Sequence, residues 1–166
     1  MSDALAHRFD ALYQAHYGMV LQLCLGFSEG REEQAKDLTQ EVFIQVWRKL
    51  NTFRAEASAK TWIYRITVNT CLNFLKKQKT HHRKLKDALR TCEQVAEIKP
   101  TDETDPVETL YAAMANLSEI DRLITGLVLD GASQAEIATI LGITEGNVRV
   151  KIHRIKKRLK KVIDHG

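Results

Sequence analysis

Proline is almost absent: two residues in 166, at Pro100 and Pro106, leave long stretches in which nothing interrupts a helix. Cysteine is nearly as scarce. Cys24, Cys71 and Cys92 are odd in number and show no CxxC spacing, which argues against a disulfide framework and a zinc site. Cys24 and Cys71 lie among apolar residues, read as small buried hydrophobes and suit a reducing compartment. No apolar run approaches the roughly 18 residues a membrane span needs. Met1 to Asp10 is polar and lacks the apolar core of a signal peptide, so the expected location is cytoplasmic. There is no internal repeat, no low-complexity tract and no convincing strand pattern. The adjacent pair His81-His82 is the nearest approach to a metal-binding motif, but neighbouring histidines do not converge on one ion without another placed ligand. A metal-dependent nucleic-acid enzyme is therefore set aside. No catalytic residue, metal ligand or cofactor is expected.

What is present is a skewed charge distribution. The net charge is +4, and the pI is about 9.0. Between Arg149 and Gly166 eight Lys or Arg face a single acid, Asp164, whereas between Glu93 and Glu108 six acids face one base, Lys99. A basic end and an acidic middle imply a polyanionic partner at one end only.

Apolar residues recur at helical spacing. Leu5, Phe9, Leu12, Tyr13, Val20, Leu23, Cys24 and Phe27 predict a first helix over about 4–27, followed by a turn marked by Gly26, Ser28 and Gly30. Leu38, Val42, Phe43, Val46, Trp47 and Leu50 form one stripe of a second helix, about 31–50, whose other face carries Lys36, Asp37, Gln40, Glu41, Arg48 and Lys49. Ser58 can cap a third helix, about 59–79. Its apolar side holds Trp62, Ile63, Ile66, Thr70 and Phe74; Arg65, Asn69, Asn73, Lys76, Lys77 and Lys79 form a polar, basic side. Periodicity then fails over 80–104, which reads as an acidic linker, in part helical over about 84–95. Order resumes at Asp105-Pro106-Val107-Glu108, a cap followed by Pro at the first helical position. Four short helices follow. The expected fold is all-α: two small helical domains, 1–79 and 105–166, joined by a flexible acidic linker over 80–104.

The last helix pair has the parts of a helix-turn-helix. Ser133-Gln134-Ala135-Glu136 is a capping box, Ala138 is small enough for close helix approach, Gly142 supplies the turn and Thr144 caps the final helix. Val148, Ile152 and Ile155 face inward. That leaves Thr144, Glu145, Asn147, Arg149, Lys151, His153, Arg154 and Lys157 pointing outward. Arg and Lys donate to guanine edges and phosphates and Asn pairs with adenine, so these types at the start of a recognition helix suit the major groove. A solvated charged face is the plainer alternative. Lys160 and Lys161 lie far along the helix and are expected to be solvated or to face phosphate at a distance.

Three blocks in this order resemble the extracytoplasmic-function group of bacterial RNA polymerase sigma factors. They are Asp37-Leu38-Thr39-Gln40-Glu41-Val42-Phe43 continuing to Trp47; Phe53-Arg54 with Thr61-Trp62-Ile63-Tyr64-Arg65-Ile66-Thr67-Val68-Asn69; and the helix-turn-helix. The resemblance covers about 9–79 and 110–163, with no room between them for a third domain. It implies a sigma region 2 followed by a sigma region 4, and a factor that binds core polymerase and directs promoter-specific initiation in response to an envelope or environmental signal. Implied partners are core RNA polymerase (the clamp helices of its largest subunit, and the flap), promoter DNA and an anti-sigma factor.

The resemblance also assigns residues. Asp37, Leu38, Gln40, Glu41 and Phe43 match the polymerase-docking surface. Phe53, Arg54, Lys60, Trp62, Arg65, Asn69, Lys76 and Lys77 match the element that opens and reads the minus-ten sequence, where a melted base is held in a pocket or on an aromatic surface. Asn69 matches the position that reads the flipped base or its neighbour, and its amide both donates and accepts. Trp62, on the apolar side of its helix, fits a core role better than a stacking one. Ser133, Thr144, Glu145, Asn147, Arg149, Lys151, His153, Arg154 and Lys157 match the reader of the minus-thirty-five element. The connection Asn51–Ser58 departs from the family pattern in having no glycine, which leaves its loop shape and base preference open. Two other readings remain: a helix-turn-helix regulator that acts as a dimer without polymerase, and a sigma-like protein that docks on polymerase without initiating.

Overall fold

In the computed structural model, which describes residues 2–88 and 105–164, the elements run α1 (Ser2–Phe27), α2 (Glu32–Lys49), a 3-10 turn (Leu50–Thr52), α3 (Ala59–Ala88), α4 (Pro106–Ala115), α5 (Glu119–Leu129), α6 (Gln134–Leu141) and α7 (Glu145–Asp164). Among the described residues there is no strand.

The local signals act as expected. The Asp105 carboxylate accepts from the Val107 amide, and the Ser118 hydroxyl accepts from the Asp121 amide. At α6 the reciprocal box is complete: the Ser133 hydroxyl accepts from the Glu136 amide at 3.1 Å, and the Ser133 amide donates to the Glu136 carboxylate at 2.7 Å. Gly142 closes α6 in the left-handed region, at φ +68°, where a Cβ would be strained. Thr144 then accepts from the Asn147 amide at 3.2 Å to start α7.

The N-terminal bundle is built from α1, α2 and α3. The α2 stripe, Ala35, Leu38, Val42, Phe43 and Val46, is buried against Val20, Leu23, Cys24 and Phe27 of α1 and Ile63, Ile66 and Cys71 of α3. Each such large aliphatic side chain removed from water contributes about 1.5–3 kcal/mol. Three buried threonines do not break the pattern, because Thr39, Thr67 and Thr70 each donate the hydroxyl to the carbonyl four residues back. The C-terminal bundle packs Leu123, Ile124 and Leu127 of α5 against Ile137, Ala138 and Ile140 of α6 and Val148 and Ile155 of α7.

Two features differ from the sequence expectations, and a third concerns the arrangement of the two bundles, which the sequence left open. Gly26 lies inside α1 rather than in the turn, and a Cβ there would meet the tip of Met114 at 3.1 Å. The third helix does not stop near Lys79 but continues to Ala88, so the expected start of the linker at residue 80 falls inside α3. The reason is local: 80–88 lacks an apolar stripe but also lacks Pro and Gly, and is rich in helix-forming Lys, Arg and Leu. The remainder of the expected linker, 89–104, lies outside the described residues. Finally, the two bundles touch. α1 packs on α5 and α3 packs on α6, and their buried side chains form one continuous cluster.

Candidate polymerase and DNA interfaces

The exposed side of α2 carries Asp37, Gln40, Glu41 and Ile44. Leu38 and Phe43, assigned with them to the docking surface, are each 4% exposed and belong to the core. Phe43 meets Tyr13 at 4.7 Å and Phe9 at 6.3 Å between ring centroids. Their role is to hold α2 so that its polar side faces out, and the apolar period alone already placed them inward. Trp47, at the end of the same stripe, packs edge-on to Phe9 at 5.2 Å yet remains 43% exposed.

Between α2 and α3 runs an open groove of about 720 Å³, with Asp37, Glu41 and Gln45 on one wall and Asn69, Asn73, Lys76 and Lys77 on the other. Asn69, Lys76 and Lys77 are exposed there as expected. The α2 bank carries Glu33, Asp37 and Glu41 with Lys49, and the α3 bank carries Lys76 and Lys77 and no acid.

A second, smaller recess of about 170 Å³ opens ahead of α3, lined by Thr52, Phe53, Arg54, Glu56, Ala57, Trp62 and Arg65. Its floor is aromatic. Phe53 stacks on Trp62 at 4.5 Å with the planes 27° apart, and the Arg8 guanidinium sits 5.4 Å from the Phe53 ring. Trp62 thus braces Phe53 and is only half-buried, which places it at the recess as well as on the core side. Ser58 caps α3 by accepting from the Thr61 amide at 3.1 Å. The loop between holds Ala55 at φ +57°, a conformation that glycine adopts without strain. The sequence left the shape of this loop open, and the structure resolves it as a left-handed turn made without glycine.

Two of the residues matched to the minus-ten element are engaged elsewhere. The Lys60 ammonium lies 3.1 Å from the Asp130 carboxylate at the end of α5, and Arg65 donates to the Thr139 carbonyl of α6 at 3.3 Å. Tyr64, between them, is buried and donates its hydroxyl to the same Asp130 carboxylate. Burial, that hydrogen bond and the charges of Asp130 and Glu136 push the Tyr64 hydroxyl above its ordinary value, so it stays a donor.

On α7, Val148 and Ile155 are buried and Ile152 half-buried. Thr144, Glu145, Asn147, Arg149, His153, Arg154 and Lys157 are all exposed, as is Ser133 at the start of α6. Lys151 is different. It is half-buried, with its ammonium 3.7 Å from the Asp121 carboxylate of α5, because position 151 sits one turn from Val148 on the flank of the inner face. His81 and His82 project from α3 into solvent. Among the described residues no group of three or more His, Cys, Asp or Glu could hold a metal, and no helix is long and apolar enough to cross a membrane.

Sequence reasoning missed Asp130, Glu29 and Arg122, which join the bundles. None of the three carried a signal: Arg122 shares its helix with Glu119 and Asp121, so a charge there is unremarkable in the sequence.

Comparison with known proteins covers both bundles. Residues 12–81 match the Sigma-70 region 2 model and residues 108–159 match the Sigma-70, region 4 model. The ECF RNA polymerase sigma-E factor of Escherichia coli (strain K12) is 30% identical over 136 residues, covering 74% of this chain and 70% of the relative. The RNA polymerase sigma-H factor of Pseudomonas aeruginosa is 29% identical over 170 residues, covering 93% of this chain and 86% of the relative. Among solved structures, the sigma factor RpoE in complex with the anti-sigma factor NepR from Bartonella quintana matches with a TM-score of 0.76 at 20% identity, over 95% of this chain and 97% of that one. With both region models matched in order on two helical bundles, the chain belongs to the extracytoplasmic-function (ECF) family of RNA polymerase sigma factors.

Proposed function

We propose that this sigma factor docks on core RNA polymerase through the exposed side of α2, melts and reads the minus-ten element at the head of α3, and reads the minus-thirty-five element with α7. Asp37, Gln40 and Glu41 face the clamp helices of the largest subunit, and the C-terminal bundle faces the flap. The recess floored by Phe53 and Trp62 receives a base that has left its stack, because an aromatic face accepts any base and excludes water from it. Arg54 at its rim, with Asn69, Lys76 and Lys77 in the adjoining groove, holds the strand by its phosphates and one base edge. On α7, Asn147, Arg149, His153 and Arg154 enter the major groove while Lys157 meets phosphate. Polymerase performs the chemistry; this chain contributes no catalytic group and acts in the cytoplasm. An anti-sigma protein restrains it, as one accompanies the Bartonella quintana neighbour.

The observation that carries this reading is the aromatic-floored, arginine-rimmed recess immediately before the basic side of α3. Run-off transcription tests it, using this protein with sigma-free bacterial core polymerase on a pool of promoter fragments from its own genome. Specific transcripts are expected, and they should disappear with Asn69→Ala or Arg149→Ala. Co-elution with core but no transcripts would leave a polymerase-docking regulator, and no core binding would leave a lone DNA-binding regulator.

A further inference from the structure

We propose that Val150 is a specificity-determining residue of α7, reading one thymine of the minus-thirty-five element through the 5-methyl group of that base. The inference rests on the reading of α7 as the minus-thirty-five reader.

The first ground is position. At about 100° per residue, Val150 stands roughly 170° around α7 from the stripe of Val148, Ile152, Ile155 and Leu159 that packs on the core. It therefore sits at the centre of the outward face, one turn before His153 and Arg154 and two before Lys157, all of them exposed. Val150 is itself 49% exposed. Between Glu145 and Arg158 every other exposed residue is polar, charged or glycine. A single apolar side chain is ordinary on a protein surface, but this one is surrounded by the groups that would hold a duplex against it. Helix formation does not ask for it either, because β-branching lowers helix propensity.

The second ground is approach. Helical side chains lean toward the N-terminus, so the patch that Val150 covers lies over the preceding turn. Four positions back is Gly146. Its backbone is helical and does not call for glycine, and a Cβ there would meet only the Thr144 hydroxyl oxygen, at 3.9 Å. Bare backbone at 146 and a branched apolar side chain at 150 thus form an open step that the edge of a base can approach closely.

The third ground is what is held aside. Lys151 follows Val150 directly, but its ammonium is drawn to Asp121 of α5 at 3.7 Å, and Arg158, two turns on along the same flank, lies 3.9 Å from the other oxygen of that carboxylate. The Asp121 amide is fixed in turn by the Ser118 hydroxyl at 3.2 Å. The carboxylate therefore pulls two cations toward α5 and leaves the apolar step uncovered.

The chemistry of the step selects the base. Valine neither donates nor accepts. Pressed against adenine, guanine or cytosine in the major groove, it would take polar groups from water without replacing their hydrogen bonds, whereas thymine presents a methyl group there.

Initiation by this protein with sigma-free core polymerase is first read on templates randomised over the minus-thirty-five region. The parent protein should yield a motif that contains thymine. Each thymine is then replaced in turn by deoxyuridine, which lacks only the methyl. Thymine and deoxyuridine templates with run-off products of different lengths compete in one reaction, so the ratio does not depend on how active a variant is. At one position thymine should win by about fourfold, the factor for burying one methyl-sized group. Val150→Ala should bring that ratio to parity, and Val150→Thr, which keeps one methyl, should retain part of it. Where cytosine stands at that position, 5-methylcytosine should recover activity with the parent protein and not with Val150→Ala. Circular dichroism establishes that both variants keep the fold. The inference is overturned if no deoxyuridine disfavours a template with the parent protein, or if Val150→Ala discriminates as the parent does. A motif without a Val150-dependent methyl effect removes this inference alone and leaves α7 as the reader. A parent protein with no preference in this region, or no transcripts, removes the reading of α7 and this inference with it.

Discussion

Two residues, one in each bundle, occupy the same unusual backbone region with opposite side-chain choices. Ala55 lies at φ +57° in the loop before α3, and Gly142 lies at φ +68° between α6 and α7. A left-handed conformation costs a Cβ-bearing residue about 1–2 kcal/mol, while glycine costs about 0.4–1 kcal/mol more than alanine to order from the unfolded chain. Space does not enter the comparison: Ala55 is exposed, and a Cβ on Gly142 would meet nothing within 4 Å. Ala55→Gly should therefore stabilise, and Gly142→Ala destabilise, each by about 1 kcal/mol or somewhat less. Urea unfolding followed by far-UV circular dichroism, which reports the helices of both bundles, measures both. With a slope of about 2 kcal/mol per molar, the midpoints should move by up to about 0.5 M, up for the first variant and down for the second, at unchanged slope. A third substitution, Gly142→Asn, should cost less than Gly142→Ala, because Asn tolerates this region. The reasoning is refuted if Ala55→Gly destabilises by 1 kcal/mol or more, which would mean that the methyl makes contacts of its own. A loss well above 2 kcal/mol at Gly142→Ala would likewise show that the turn is restricted by more than its backbone angle.

The capping box at α6 and the buried thiols give two further tests. Ser133→Ala should cost about 1 kcal/mol of stability in the same unfolding assay. The Glu136 carboxyl is held below its ordinary value of 4.5, first by the hydrogen bond from the Ser133 amide and then by that from the Ser133 hydroxyl. A depressed carboxylate contributes stability that is complete above its unfolded value and is lost as pH falls through the folded one. The gap between the parent protein and Glu136→Gln should therefore be full at pH 7 and close progressively below pH 4.5; a gap independent of pH would contradict the charge-assisted box. Cys24 and Cys71 are fully buried, and the Cys71 thiol is pushed up by its hydrogen bond to Cys24 and by burial. Mass spectrometry should find both unmodified by iodoacetamide until urea unfolds the chain; rapid labelling in the native state would show that the bundle opens locally around them.

The helix ends of the C-terminal bundle were legible because their causes are local. Asp105, Ser118, Ser133 and Thr144 each accept a hydrogen bond from a residue two or three positions on, so a short window of sequence contains both partners. The inner stripes were legible for the same reason, and they even corrected the motif: Leu38 and Phe43 are core residues by period whatever block they sit in. The extent of α3 was harder to read, because beyond Phe74 no stripe marks it and only the lack of a breaker sustains it. The recess ahead of α3 was visible only as a set of residues. Phe53 lies flat on Trp62 across a loop that turns left-handed at Ala55, a conformation no propensity favours, so the arrangement was not written in their spacing. The contact between the bundles was not legible at all. Tyr64 and Asp130 are 66 positions apart, and an acid between a helix and Gly131 looks like any polar helix end.

The unbroken run of α3 to Ala88 also fixes how far the two readers can separate once apart. From Asn69 to Ala88 the helix is a rod about 29 Å long at 1.5 Å per residue. Positions 89 to 104 are sixteen residues, and a chain of that length bridges at most about 60 Å between Ala88 and Asp105. Rod and tether together reach about 90 Å, just beyond the roughly 85 Å between the promoter elements. The span from Asp105 across the C-terminal bundle to α7 adds to that reach. On the proposed reading of α3 and α7, the covalent connection is therefore long enough for both elements at once, and about a third of the rod and tether comes from a helix that would otherwise look longer than its bundle requires.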